Sequence, residues 1–280
     1  MKIIHATRRD IDVKQYRFRR ADEKDCSQIV AEDSLIYIDG KLAIIYIDRV
    51  PEDLTAFYDA LTKIRYDKST RTSGLVTTSR IFGYAPRNVL RNAPCRATSL
   101  AGDAPEHHKA IMKAASVAAK YYRTGNPELA AMHQQLTDEK VLGNYRMGDT
   151  MFTSGIINDN NPLLYHFDAG NYRGVYSAMF GFKKGIEGGY LAMPEIDIHL
   201  KISDKSLSLF DGQGILHGVT PIKKTHPDAK RYTIVYYSLQ QMWNCETPGT
   251  ELEILRNRRT EYERKRSDQA KEKLKAETTA

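Results

Sequence analysis

Long apolar runs are missing from this 280-residue chain. No stretch approaches the roughly 18 consecutive apolar residues that a membrane helix needs, so no association with a membrane is expected. The opening residues, MKIIHATRRDID, hold no apolar core of the kind a secretory signal carries. Cysteine is scarce: Cys26, Cys95 and Cys245 stand far apart. An odd, widely spaced set offers no CxxC zinc site, implies no disulfide framework and fits the reducing cytoplasm. Internal repeats are also missing. Acidic residues are absent between Lys68 and Gly102, where six basic residues fall. Over residues 61–126 twelve Lys/Arg face three acids, whereas the charged segment 251–280 nearly cancels, with nine positive and seven negative side chains. A one-signed stretch of this kind can attract a polyanion such as nucleic acid; a solvated basic surface is the competing reading.

The patterned regions suggest helices first, then strands, then a helix. Two β-branched runs, Ser34–Asp39 and Leu42–Ile47, flank Asp39-Gly40, a strong hairpin signal. Residues 52–65 read as a helix with Leu54, Phe57, Leu61 and Ile64 on one face. Residues 66–104 have little regular pattern. Residues 105–123 and 127–136 read as two further helices. From about 150 to 245 short β-type runs alternate with Gly, Asn, Asp and Pro: Leu163–Phe167, Val175–Phe182, Tyr190–Met193, Asp197–Ile202, Ser206–Phe210 and Tyr232–Leu239. That spacing suggests a sandwich or barrel. Residues 250–280 read as a solvated, charged helix with a frayed end.

One constellation in the β-rich part carries chemistry. His166-Phe167-Asp168 ends a predicted strand, and residues two apart on a strand point to the same side. His166 and Asp168 can therefore reach one metal. His217 follows in Phe210-Asp-Gly-Gln-Gly-Ile-Leu-His217-Gly-Val, at the start of another predicted strand. Two histidines and a carboxylate on one face of an iron leave positions open for a co-substrate and oxygen; a satisfied core histidine is the competing reading for His217. Arg231 and Thr233 share one face of the strand that follows. An arginine turned inward is costly unless it meets an anion; an edge-strand arginine facing water is the competing reading for Arg231. A carboxylate held by two prongs satisfies it, and 2-oxoglutarate, chelating iron(II) through its keto-acid end, supplies one.

These residues resemble the TET/JBP family of nucleic-acid base oxygenases, especially its phage and bacterial members, over roughly residues 71–245. The resemblance implies a double-stranded β-helix (jelly-roll) core in an α+β fold. It also implies Fe(II) and 2-oxoglutarate as cofactors, O2 as co-substrate and DNA as partner. The family motif HxDxxN has its counterpart in His166-Phe-Asp168-Ala-Gly-Asn171, which makes Asn171 the residue facing an extruded base. Tyr237 stands where the family places a tyrosine near that base, and Thr233 where it places a serine. A further family histidine is Leu239 here, which leaves the identity of the base open. More loosely, His199 and Arg96, with Arg80 as the rival of Arg96, match residues that contact 2-oxoglutarate. Gly188-Gly189 matches a small pair that lets core strands approach. In the acid-free stretch Arg80, Arg87, Arg91 and Tyr84 are candidate phosphate contacts.

The expectation is one oxygenase domain over 1–249. Its helical, basic part spans 1–149 and its β-helix core about 150–245, and a charged helical tail follows over 250–280. Such a protein would act as a monomer in the cytoplasm, the host's if phage-encoded. It would hydroxylate the 5-methyl group of 5-methylcytosine or thymine in DNA. The competing functions are a 2-oxoglutarate-dependent hydroxylase of a protein or small molecule, and a jelly-roll binding module that does no chemistry.

Overall fold

The structure is a computed structural model that describes residues 1–70 and 74–278 of the chain. The fold is α+β, in three layers. A large sheet runs, in spatial order, through Lys2–Ala6, Ser34–Ile38, Lys41–Ile47, Ser206–Phe210, Ser177–Lys184, Lys230–Tyr237, Ser154–Asp159, Val76–Ala85 and Asp67–Thr70. All neighbours on that path pair antiparallel except the first two strands, which are parallel. A smaller sheet holds Gly218–Val219, Leu191–Met193, Ile198–Leu200 and Gln28–Val30.

Alternation along the strands decides what each face of the large sheet meets. Phe82, Ile157, Phe180, Phe182, Ile234 and Tyr236 point to one side, where Phe57, Leu61, Ile111, Ala118 and Tyr122 come from helices. The Tyr236 hydroxyl, buried there, donates to the Ile111 carbonyl at 2.7 Å. Ile36, Ile44, Tyr46, Met179 and Phe210 point to the other side and meet Leu191, Met193, Ile198, Leu200 and Val219 of the smaller sheet. A cavity opens between the two sheets.

The Asp39-Gly40 hairpin forms as expected, with both residues at positive φ (50° and 81°). The helix expected over 105–123 is divided into Pro105–Lys113 and Ala115–Gly125, and the next runs on from Pro127 to Lys140. Several strands go beyond the sequence reading, among them Lys2–Ala6, Gln28–Val30, Asp67–Thr70, Val76–Ala85 and Ser154–Asp159. Val76–Ala85 arises in the stretch that looked patternless, because polar Arg80 shares the buried face of Phe82 and polar Thr77 is buried on the opposite face, which hides the alternation. Ser154–Asp159 completes the sheet between that strand and Lys230–Tyr237. Arg71 of the acid-free stretch lies outside the described residues.

The cysteines correct an expectation. Cys95 and Cys245, 150 residues apart in sequence, are disulfide-bonded, with Cα atoms 5.7 Å apart. Cys26 is buried and free. Linear spacing could not reveal the pair: one partner follows the strand Val76–Ala85 and the other follows Lys230–Tyr237, and the fold alone brings those ends together. The charged helix, Pro248–Thr278, is also tied in at its start. The Glu251 carboxylate is buried, ion-paired to Arg87 and bonded by the Cys95 and Glu246 amides. Burial raises the pKa of this carboxyl, but the Arg87 guanidinium and the two amides outweigh it and hold it below its ordinary value. The helix thus enters the body at residue 251 and is largely exposed beyond it. Among the described residues no helix is long and apolar enough to cross a membrane.

His133 makes stability depend on pH. It is fully buried among Tyr122, Phe152 and Tyr172 and bonded to the Ser238 hydroxyl at 2.8 Å. Burial pushes its imidazole from 6.5 down to about 3. Between those values the unfolded chain binds a proton that the native state does not, so stability falls as pH drops through 6.5 toward 3. Each pH unit in that window removes about 1.4 kcal/mol. His133→Phe is therefore expected to lose about 2–3 kcal/mol less than wild type between pH 6.5 and about 4.5. Urea denaturation at the two pH values measures this, and equal slopes would exclude His133 as the cause.

Candidate metal centre and anion pocket

The candidate metal ligands are set by backbone pairing rather than by a long strand. Leu163–Phe167, expected as a strand, is not one; it carries an isolated bridge, His166 with His217. The His166 amide donates to the His217 carbonyl at 2.9 Å, and the His217 amide returns the bond at 3.1 Å. This exchange brings the two imidazole rings to 4.4 Å. Gly218 permits the approach, since a Cβ there would lie 2.9 Å from the Tyr165 ring. Asp168 is fixed in the same way: its amide donates to the Gly212 carbonyl at 2.8 Å, and a Cβ on Gly212 would stand 2.1 Å from Asp168 Oδ2.

The histidine tautomers follow from their partners. Nδ1 of His166 lies 2.8 Å from the Leu164 carbonyl, and Nδ1 of His217 lies 2.9 Å from the Ile215 carbonyl. A carbonyl only accepts, so each Nδ1 carries the hydrogen and each Nε2 carries the lone pair a metal needs. Those Nε2 atoms stand 3.7 and 3.9 Å from Asp168 Oδ1. The three residues each offer one ligand atom within 4.8 Å of the others and form a candidate iron site.

Beyond Thr233 on the same strand lies a candidate anion pocket. Arg231 is completely buried. One of its nitrogens, Nη2, donates to the Gly189 carbonyl at 3.1 Å, while Nε and Nη1 have no partner. Burial lowers its pKa to about 10, so it remains cationic at neutral pH. Its cross-strand neighbour is Lys183, whose ammonium donates to the Gly188 carbonyl at 2.8 Å. Burial, and then the charge of Arg231, lower Lys183 to about 8. A buried guanidinium with two empty donors beside a second cation is the environment a carboxylate satisfies. Fe(II) and 2-oxoglutarate thus fit the residues present: a ligand triad for the one, an unsatisfied arginine for the far carboxylate of the other. Gly188 and Gly189, both at φ +66°, complete the pocket, since a Cβ on Gly189 would press on Arg231 Nε at 3.0 Å.

A cavity of about 660 Å³ adjoins the triad. Its walls include the apolar Ile156, Met179, Leu191, Val219 and Val235, with Asn171, Thr233 and Tyr237 among its polar residues. Asn171 donates from its side-chain amide to the Ser177 hydroxyl at 3.2 Å, and its carbonyl accepts from the Gln213 side chain. His166, Asp168, His217, Asn171, Thr233 and Tyr237 are therefore brought together as the sequence suggested.

The remaining candidates are not. Arg80 is buried on the helix side of the sheet and ion-paired to Asp67 and Asp103. Arg87 is held by Glu251 and the Asn244 carbonyl. Arg96 and Arg91 are exposed and away from the cavity walls. Tyr84 packs edge-on against Tyr145, in a cluster with Cys95 and Met242. His199 is buried but turned away: Ile198 and Leu200 enter the core between the sheets, while His199 pairs with Ala192, which packs on the opposite side with Cys26 and Tyr165. Sequence reasoning overlooked Lys183 and Gly212. The Asp-Gly-Gln-Gly run before His217 was a usable signal for Gly212, and nothing in the sequence marked Lys183.

Fold and site together define an oxygenase scaffold with a two-histidine, one-carboxylate centre. The chain belongs to the Tet/JBP family, the oxygenase domain of the 2OGFeDO superfamily, whose family model matches residues 81–240. That superfamily uses Fe(II) and 2-oxoglutarate. Among solved structures the chain is similar to NgTET1 in complex with 5mC DNA, at 15% identity over 82% of this chain and 86% of that one, with a TM-score of 0.52. It is similar also to a 2OG-Fe(II) oxygenase family oxidoreductase from Burkholderia pseudomallei, at 13% identity over 70% and 85% of the two chains, with a TM-score of 0.44. A prolyl hydroxylase from Trichoplax adhaerens, in complex with a hypoxia inducible factor peptide, matches at 13% identity over 72% and 86%, with a TM-score of 0.40. No curated protein matches the chain in sequence.

Proposed function

We propose that this protein hydroxylates the 5-methyl group of a pyrimidine, 5-methylcytosine or thymine, in DNA. The observation that carries the reading is the cavity: about 660 Å³, adjoining the candidate iron site, walled by apolar side chains and including Asn171 and Tyr237. That volume leaves room for an extruded nucleotide, and a methyl group inside a duplex could not otherwise reach the metal. In this reading the two facing sheets are the halves of a double-stranded β-helix, and residues 1–249 act as one oxygenase unit.

His166, Asp168 and His217 hold the metal. Arg231 and Thr233 bind the far carboxylate of 2-oxoglutarate, and Lys183 adds positive charge beside it. Bound iron(II), with 2-oxoglutarate and oxygen, supplies the oxidation of an unactivated C–H bond. The apolar walls exclude water from the reacting methyl, and Asn171 offers an amide to the polar edge of the base. Tyr237 packs beside the base. Family membership and the DNA in the NgTET1 complex favour nucleic acid over other substrates. One observation favours hydroxylation of a protein or small molecule instead: Arg80 and Arg87, expected on phosphates, are neutralised by Asp67, Asp103 and Glu251.

The test is mass spectrometry of nucleosides after incubation with iron(II), ascorbate, 2-oxoglutarate and DNA that contains either thymine alone or 5-methylcytosine as well. A hydroxymethylated nucleoside from one of the two is expected. Succinate formed on another substrate, with no modified nucleoside from either DNA, would exclude the DNA reading.

A further inference from the structure

A strained, exposed aromatic stands at the mouth of the cavity, outside the residues matched by the family model. Phe18 lines that mouth together with Arg17. Its backbone has φ +66°, a conformation that a bulky side chain rarely adopts and that needs support from its surroundings. The side chain gains little burial in return, since Phe18 is 48% exposed. The Arg17 guanidinium lies over its ring at 5.1 Å and has no carboxylate partner among the described residues. Segment 14–20, Lys-Gln-Tyr-Arg-Phe-Arg-Arg, carries four basic residues and no acid.

The turn under Phe18 is tied by hydrogen bonds to the segment beside the candidate metal centre. The Phe18 amide donates to the Tyr165 carbonyl at 2.8 Å, and the Tyr165 amide donates to the Arg19 carbonyl at 2.9 Å. Tyr165 immediately precedes His166. Arg19 is stacked over Tyr16 and ion-paired to Asp25, which also accepts from the Tyr165 hydroxyl. The backbone of Phe18 is thus indexed to the residue beside a metal ligand. Leu75 and Thr70, at the end of the sheet, also line the cavity. Strain at an exposed ring, on a base built this firmly, points to a role in what enters the cavity.

Resting on the DNA reading above, we propose that Phe18 and Arg17 form a strand-gripping lip. Phe18 stacks on the base that flanks the extruded pyrimidine, and Arg17 binds the phosphate beside it. Aromatic stacking is tolerant of sequence because every base presents a π-face, and a cation next to the ring adds the backbone contact. The lip supplies the phosphate and base contacts that Arg80 and Arg87, held by their carboxylates, do not.

The test compares wild type with Phe18→Ala, Phe18→Gly and Arg17→Gln on two substrates: a duplex in which one 5-methylcytosine stands among thymines, and the free nucleosides. Phe18→Ala is expected to lower kcat/KM on the duplex by roughly tenfold or more and to leave the 2-oxoglutarate requirement unchanged. Phe18→Gly should lose as much activity without losing thermal stability, because glycine adopts positive φ without steric cost. A merely structural Phe18 would not separate the two readouts. Arg17→Gln should lower the slope of log affinity against log salt by about one. If wild type oxidises the duplex and both Phe18 variants match it, the lip is excluded while the DNA reading stands. If wild type oxidises neither duplex nor nucleosides but forms succinate on another substrate, both fall.

Discussion

Arg231→Met is expected to raise the 2-oxoglutarate concentration needed for half-maximal turnover by about two to three orders of magnitude, the loss of a two-pronged, charge-assisted contact. The same substitution should leave the ligand-free protein as stable as wild type or more so. Arg231 is wholly buried, with two nitrogens unpartnered and Lys183 beside it, so the unliganded pocket holds a charge with too few partners. An apolar side chain of similar length removes that cost, and such replacements are neutral or stabilising by roughly 1–4 kcal/mol. Thermal melts with and without 2-oxoglutarate would show both effects. Wild type should gain stability on adding the ligand, and the variant should start at least as high and gain little. An unchanged 2-oxoglutarate requirement would remove Arg231 from the pocket.

Asp168→Ala should abolish turnover and reduce metal affinity, because it removes the only anionic member of the candidate iron site. Gly212→Ala tests the same site without touching a ligand. Its new methyl would lie 2.1 Å from Asp168 Oδ2, so the carboxylate must move. Displacing a metal ligand through its support costs about 10- to 100-fold in affinity or activity, so Gly212→Ala should fall between wild type and Asp168→Ala. Metal titration followed by succinate formation measures both variants. Full turnover in Asp168→Ala would remove the triad assignment.

Much of this site was legible in the linear chain, for one physical reason. A strand turns every second residue to the same side, so Arg231 and Thr233 declare their shared face locally; His166 and Asp168 converge although their segment is no strand, because the bridge to His217 and the bond to Gly212 hold them. The hairpin at Asp39-Gly40 is legible in the same way, because only a few residues tolerate positive φ. The strand Val76–Ala85 was not, because polar Thr77 and Arg80 occupy buried positions, one on each face, that an apolar pattern would have marked.

The tertiary structure decided matters that depend on distant partners. The basic stretch 68–102 looked free to meet phosphate. Folding places Asp103 against Arg80 and Glu251, 164 residues away, against Arg87. Two candidate contacts thereby become internal ion pairs. His199 lies on an expected strand, yet its neighbours Ile198 and Leu200 take the core face, and alternation sends the histidine the other way. Cys95 and Cys245 meet only because two strand ends converge. Residue type and local spacing marked the candidate ligands for iron and for a dicarboxylate, since that chemistry is carried by the side chains themselves. Which charges remain available to a substrate, and where Phe18 stands relative to the metal, were decided only by packing, because a charge is neutralised or exposed by whatever the fold sets beside it.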